Sequence, residues 1–280
     1  MGRAFRAFWE DNAMRLGASV AYYTLFAIAP ILLIVIAVAG SVFGDAAVRG
    51  EVVTQLDGLV GQEGATAIQA LLQGAARDRN TPLATTIGFV TLTLAATGAF
   101  LELQSAFNTI WRAKADGSNV KMFLLSRVQA LGLVVAIGFL LLVSLTISAA
   151  LGAFGGWLGR MMPGVPLLLE VANVLVSFMV ITWLFALLFR FLPDTHVYWH
   201  DAIVGAIVTT ILFSVGKQLI GFYLGRSATA SVYGTAGSVV LLLLWVYYSS
   251  QIVLIGAEFT RLYGDARAQG ALPDTSPTST

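Results

Sequence analysis

One cation stands inside a membrane-length apolar run. Lys217, with Gln218 beside it, interrupts "AIVGAIVTTILFSVGKQLIGFYLG" over Ala202–Gly225. A charge at mid-bilayer costs roughly 2.5–3.5 kcal/mol on insertion scales. Such a group is tolerated if its stem snorkels towards the interface, if it pairs with a carboxylate, or if it lines a wet cavity. Glu170 is the partner that depth suggests, and a cavity cation would suit an anionic or phosphate-bearing substrate. Four more charges, Glu102, Arg127, Arg190 and Glu258, gather at one predicted membrane face. They read as an ion-pair cluster tying helix ends together, or as a gate. Tyr247, Gln251, Glu258 and Arg261 share an arc of about 80° on one helix, so that face must meet protein or water. Lys217, Glu102, Gln251, Glu258, Arg190 and Tyr247 are therefore the candidates for a polar cavity or gate.

Other chemistry finds less support. His196 and His200 are four apart, but Pro193 and the intervening "VYW" place them in a loop entering a helix, not on one metal-binding turn. The glycines of "SVYGTAGS" follow no strand, so a phosphate loop is not indicated. No serine–histidine pair or carboxylate dyad marks a catalytic centre. Without cysteine, thiolate chemistry and disulfides are excluded. No enzyme activity, cofactor or metal is expected, and no nucleic-acid partner is suggested by a net charge of +1.

The elements that carry these residues are spans. Only 11% of residues are charged and mean hydropathy is +0.82, against roughly 25% charged in a soluble domain. Six segments reach the ~20 apolar residues a spanning helix needs. They are Ala18–Phe43, Leu83–Leu103, Val128–Gly152, Leu167–Phe189, Ala202–Leu224 and Val239–Phe259. The expected fold is an all-α polytopic membrane protein, one six-span domain over 1–269 with a disordered tail over 270–280. Pro30 cannot donate within the first span, which predicts a kink. The external loop 44–82 holds two amphipathic stretches that read as short helices capping the bundle. The N-terminus does not have the pattern of a secretory signal.

Ten basic residues flank one membrane face and five the other. The first set is Arg3, Arg6, Arg15, Arg112, Lys114, Lys121, Arg127, Arg190, Arg261 and Arg267; the second is Arg49, Arg77, Arg79, Arg160 and Arg226. Basic flanks stay inside, so both termini are expected in the cytoplasm. A stripe of Thr91, Ala95, Gly98, Glu102, Ala106 and Thr109 follows helical steps, suiting close helix packing, including self-association.

Several motifs resemble one family in order. They are "ASVAYYTLFAIAPILLIV", "LQSAFNTIWRA", "RFLPDTHVYWHDAIVGAIVTTILFSVGKQLIGFYL" and "SVYGTAGSVVLLLLWVYYSSQIVLIGAEFTRLY". They are similar to the YihY/virulence factor BrkB family of bacterial inner-membrane proteins, across about Phe8–Tyr263. Pro30, Phe107, Asn108, Trp111, Lys217, Tyr223, Tyr233, Gly234, Trp245, Gly256 and Glu258 match its motif positions. The resemblance implies an inner-membrane protein, commonly with six helices and once mislabelled ribonuclease BN. Some members are associated with serum resistance, others with lipid export. A translocator of lipids or other amphipathic, anionic small molecules is the leading expectation. Membrane lipids are its expected partners. A non-transporting structural or regulatory component is the alternative. A ribonuclease would need a basic, carboxylate-bearing cytoplasmic surface that the short connections do not offer. With no ATP-binding motif, transport would be passive, gradient-coupled or powered by a partner. Three plus three spans would be inverted in topology, though no repeat is visible.

Overall fold

A computed structural model describes residues 2–43, 66, 68–69, 72, 82–113, 165–226 and 237–270. Among them every regular element is helical: α1 (Gly2–Glu10), α2 (Ala13–Phe43), α3 (Pro82–Trp111), α4 (Val165–Phe191), α5 (Trp199–Arg226) and α6 (Gly237–Ala268). The expected third span, Arg127, Tyr233, Gly234 and most of the external loop lie outside the described residues. So does the tail beyond Gly270. In the external loop, Ile68 and Leu72 are buried whereas Thr66 and Gln69 are exposed, as an amphipathic helix requires.

Among the described residues, three helices are long and apolar enough to cross a membrane. Their apolar stretches are Val174–Phe191, Trp199–Ile220 and Val239–Ala268, with mean hydropathies of 2.2, 1.8 and 2.0. α5 shows why. Ile203, Ile207, Ile211, Val215 and Leu219 step by four along one exposed row. Steps of four keep side chains on one helix face, and a continuous apolar row of that length fits hydrocarbon better than water. The helices outrun their apolar cores. α3 continues eight residues past Leu103 to Trp111, and α6 nine past Phe259 to Ala268. α2 continues as helix through Pro30.

The chain divides into two compact units. One comprises Met1–Leu25, Ala99–Asp116 and Phe185–Thr280, the other Phe26–Gly98 and Gly117–Leu184. Within the first, α5 and α6 pack antiparallel. Small residues set their spacing. A Cβ added to Gly205 would lie 1.8 Å from Thr260 Oγ1, and one added to Gly256 would lie 2.0 Å from Thr209 Oγ1. Further along, Gly264 faces Asp201 and Gly216 faces Tyr248 and Ile252. The threonine hydroxyls do not bridge the helices. Thr209 donates to Gly205 O and Thr260 to Gly256 O, each at 2.7 Å within its own helix. Ser250 does the same to Val246 O. These bonds satisfy hydroxyls where water is absent, leaving the interface to van der Waals packing.

An aromatic chain ties the remaining ends of this unit together. Phe107 lies 5.4 Å from Trp111 and 5.8 Å from Phe189, ring to ring. Phe185 stacks on Phe189 and meets Phe213, which meets Trp245 edge-on. Phe107 and Phe189 are fully buried. Three of the family-motif positions, Phe107, Trp111 and Trp245, thus serve packing.

Candidate functional site

Charged groups concentrate at the end of the first unit where α1 meets the C-terminal end of α6. α1 packs there through Ala4, Ala7 and Phe8, while Phe5 and Trp9 stay exposed. Asn12 takes a left-handed conformation (φ 52°), which Asn tolerates. Its carbonyl then accepts from Arg15 N and Leu16 N, starting α2. The turn brings Asp11 to α6, where Arg261 lies 3.9 Å from it. Arg261 Nη2 donates to Glu258 Oε2 at 2.8 Å, and Asp265 lies at 3.9 Å. Glu258 is fully buried. An unpaired carboxylate there would be costly; the guanidinium three residues on offsets it.

A second pair lies nearby. Asp201, in the first turn of α5, accepts from Arg267 Nη2 at 3.2 Å; Asp201 is buried and Arg267 partly so. Asp201 suits the positive end of the α5 dipole. Arg267 also lies over the Tyr198 ring, 5.1 Å from its centroid. A third group fixes the loop between α4 and α5. Asn108 donates to Asp194 Oδ2 at 2.7 Å and accepts from Asp194 N at 2.8 Å, and Gln104 donates to Asp194 Oδ1 at 3.0 Å. Asn108 is therefore a clamp between α3 and that loop. α3 ends where Ala113 N reaches Asn108 O and Arg112 N reaches Thr109 O, the Schellman pattern. The left-handed residue this needs is Arg112 (φ 51°), not glycine.

These groups border a cavity of about 360 Å³. Trp111, Arg112, Tyr198, Asp201, Arg261 and Asp265 are among its lining residues. Two buried polar atoms of that lining, Asp201 Oδ1 and Arg261 Nε, have no hydrogen-bond partner. Such orphans are rare in buried sites.

The residues singled out from sequence are placed as follows. Glu258 joins Arg261, as their shared face suggests. Gln251 of the same face meets α2: its Nε2 lies 3.5 Å from Met14 O, and Gly17 leaves room for its side chain. Tyr247 is half-buried. Glu102 instead accepts from Ser19 at 2.5 Å, and Arg190 lies 3.3 Å from His196 Nε2. Among the described residues neither forms an ion pair, so Glu102, Arg190 and Glu258 are not one cluster. Lys217 is exposed, near the end of the apolar stretch of α5, and lines neither this cavity nor a groove along the end of α3. The side chains of Glu170, Tyr223 and Pro30 lie outside the description. Of the threonine stripe, Ala106 is buried, but Thr109 is exposed and donates to Ser105 O. His196 and His200 have separate surroundings, His200 stacking on Tyr263 at 5.8 Å.

Sequence reasoning missed Asp201, Arg112 and Asp11. Asp201 was visible only as the neighbour of His200. The signal that finds it is the matched spacing Asp201/Gly205/Thr209 and Gly256/Thr260/Gly264, which aligns two antiparallel helices without a gap.

Fold and composition together define an all-helical integral membrane protein. The model of the virulence factor BrkB family matches residues 4–278, and the chain belongs to that family. It is 31% identical over 260 residues to a UPF0761 membrane protein of Azotobacter vinelandii, covering 91% of this chain and 60% of that protein. To a UPF0761 membrane protein of Tolumonas auensis it is 27% identical, covering 98% of this chain and 88% of the relative. A relative from Stenotrophomonas maltophilia, UPF0761 membrane protein Smlt0865, is 30% identical over 90% of this chain and 58% of its own length. The chain thus spans about three fifths of the first and third of these. No solved structure matches.

Proposed function

We propose that this protein is a translocator of lipids or other amphipathic small molecules in a bacterial inner membrane, with both termini cytoplasmic and no enzymatic step. The observation that carries the reading is the cavity at the end where α1 meets α6. It is bordered by buried charges of both signs on a helix of spanning length. A helix end that needed only to pack would be cheaper with apolar groups there. The bacterial sources of the relatives and the ten-to-five bias of basic residues support the location and orientation. Lys217, exposed in the other end of α5, is then a snorkelling cation at the outer interface.

The test is reconstitution of the full chain into vesicles carrying fluorescent lipids in both leaflets. Membrane-impermeant quencher is added outside. The expected result is quenching of more than the outer-leaflet half on a timescale of minutes. Quenching that stops at half across lipids of every head group, with folded protein in the vesicles, would sink the proposal and favour a structural role.

A further inference from the structure

We infer that the cavity where α1 meets α6 binds a zwitterion, a primary ammonium joined through a short ester to a phosphate. This rests on the reading that the protein handles lipids, and it names the head group.

Two atoms of the lining are orphaned. Asp201 Oδ1 is an anionic acceptor on a side chain only 4% exposed, and Arg261 Nε is a cationic donor on one 10% exposed. Their other polar atoms are engaged, Asp201 by Arg267 and Arg261 by Glu258. What remains is one acceptor for a cationic donor and one donor for an anionic acceptor, on residues of the same lining. A simple cation leaves Arg261 unmet; a simple anion leaves Asp201 Oδ1 with only His200 Nδ1, 3.5 Å away and itself without a hydrogen bond. Charge repeats the pattern. The lining holds Arg112 and Arg261 against Asp201 and Asp265, which cancel. Behind it, Glu258 and Arg267 add one charge of each sign. Trp111 presents an aromatic ring, which attracts ammonium groups. Arg112 supplies a second guanidinium for phosphate, the group its planar fork fits. It does so from a left-handed backbone that a purely structural helix end would give to glycine.

The test is calorimetric titration of the full chain in detergent. Probes are dihexanoyl phosphatidylethanolamine, dihexanoyl phosphatidylglycerol and water-soluble glycerophosphoethanolamine. The expected result is at least tenfold tighter binding of the ethanolamine lipid than of the glycerol lipid. Asp201→Asn, and separately the exposed Arg112→Gln, should weaken it fivefold or more. Asp201→Asn also weakens the Arg267 pair, so Arg112→Gln, checked by an unchanged melting curve, keeps the test decisive. Lipid binding tenfold above the soluble ester identifies a membrane lipid as the source; equal binding identifies a soluble zwitterion. Equal affinity for the two lipids, no binding at all, or no effect of either variant overturns the inference, and the orphaned atoms are then met by water. Vesicle transport with such a binding failure leaves the translocator reading standing. Head-group binding without transport removes that reading alone.

Discussion

Gly205→Ala tests the α5–α6 seam most directly. The added Cβ would sit 1.8 Å from Thr260 Oγ1, 2.8 Å from its Cβ and 3.1 Å from its Cγ2, whereas ordinary contact begins at 3.4 Å. Threonine cannot swing aside easily. It is β-branched and stiff at χ1, and its hydroxyl is held by Gly256 O at 2.7 Å. The helices must therefore part, and overpacking of this kind costs about 1–3 kcal/mol. Thr260→Ala removes Oγ1 and Cγ2 but leaves the 2.8 Å contact. The double variant Gly205→Ala/Thr260→Ala should thus regain most, not all, of the loss. Reversible unfolding in mixed detergent micelles gives the four corners of a double-mutant cycle. We expect Gly205→Ala to lose about 2 kcal/mol and the pair to show a favourable coupling of about 1 kcal/mol or more. Additive losses, or a neutral Gly205→Ala, would refute the packing argument.

Glu258→Gln leaves Arg261 buried without its strongest partner and should destabilise by about 3–5 kcal/mol in the same assay; a loss under 1 kcal/mol would show the pair is solvated. Asn108→Asp sets a second carboxylate against Asp194, 2.7 Å from where Nδ2 now donates. Limited proteolysis should then cut within 192–198 several times faster, and an unchanged rate would contradict the clamp. Arg112→Gly relieves the left-handed backbone. It should stabilise the fold by about 0.5–1 kcal/mol while weakening head-group binding, a split that a structural arginine would not produce.

The spans of α4, α5 and α6 were legible because hydropathy alone declares them, and α4 and α5 end within three residues of their apolar limits. α3 and α6 were read short for a physical reason. "QSAFNTIW" and "RLYGDARA" are helical but amphipathic, so a rule built on apolarity stops before them. Those extensions carry much of the site, including Asn108, Trp111, Arg261 and Arg267. Glu258 and Arg261 were found together because a three-residue step puts them on one face. Depth alone misled for Glu102 and Arg190: the same membrane level does not bring two groups together, and helix rotation gives Glu102 to Ser19 instead. Lys217 drew notice by its cost, yet it lies exposed, away from the buried charges.

The seam between α5 and α6 has a mechanical consequence. Both helices carry Gly-x-x-x-Thr, Gly205 with Thr209 and Gly256 with Thr260, and each knob fills the other's notch. Sliding by one turn would set Thr209 against Thr260 and glycine against glycine, a collision beside a void. The pair therefore behaves as a latched rod that resists piston motion along its axis. Asp201 and Arg261, one on each helix, are held at fixed separation by that latch. Any stroke that carries a head group across must come from elements moving against this rod, not from slip within it.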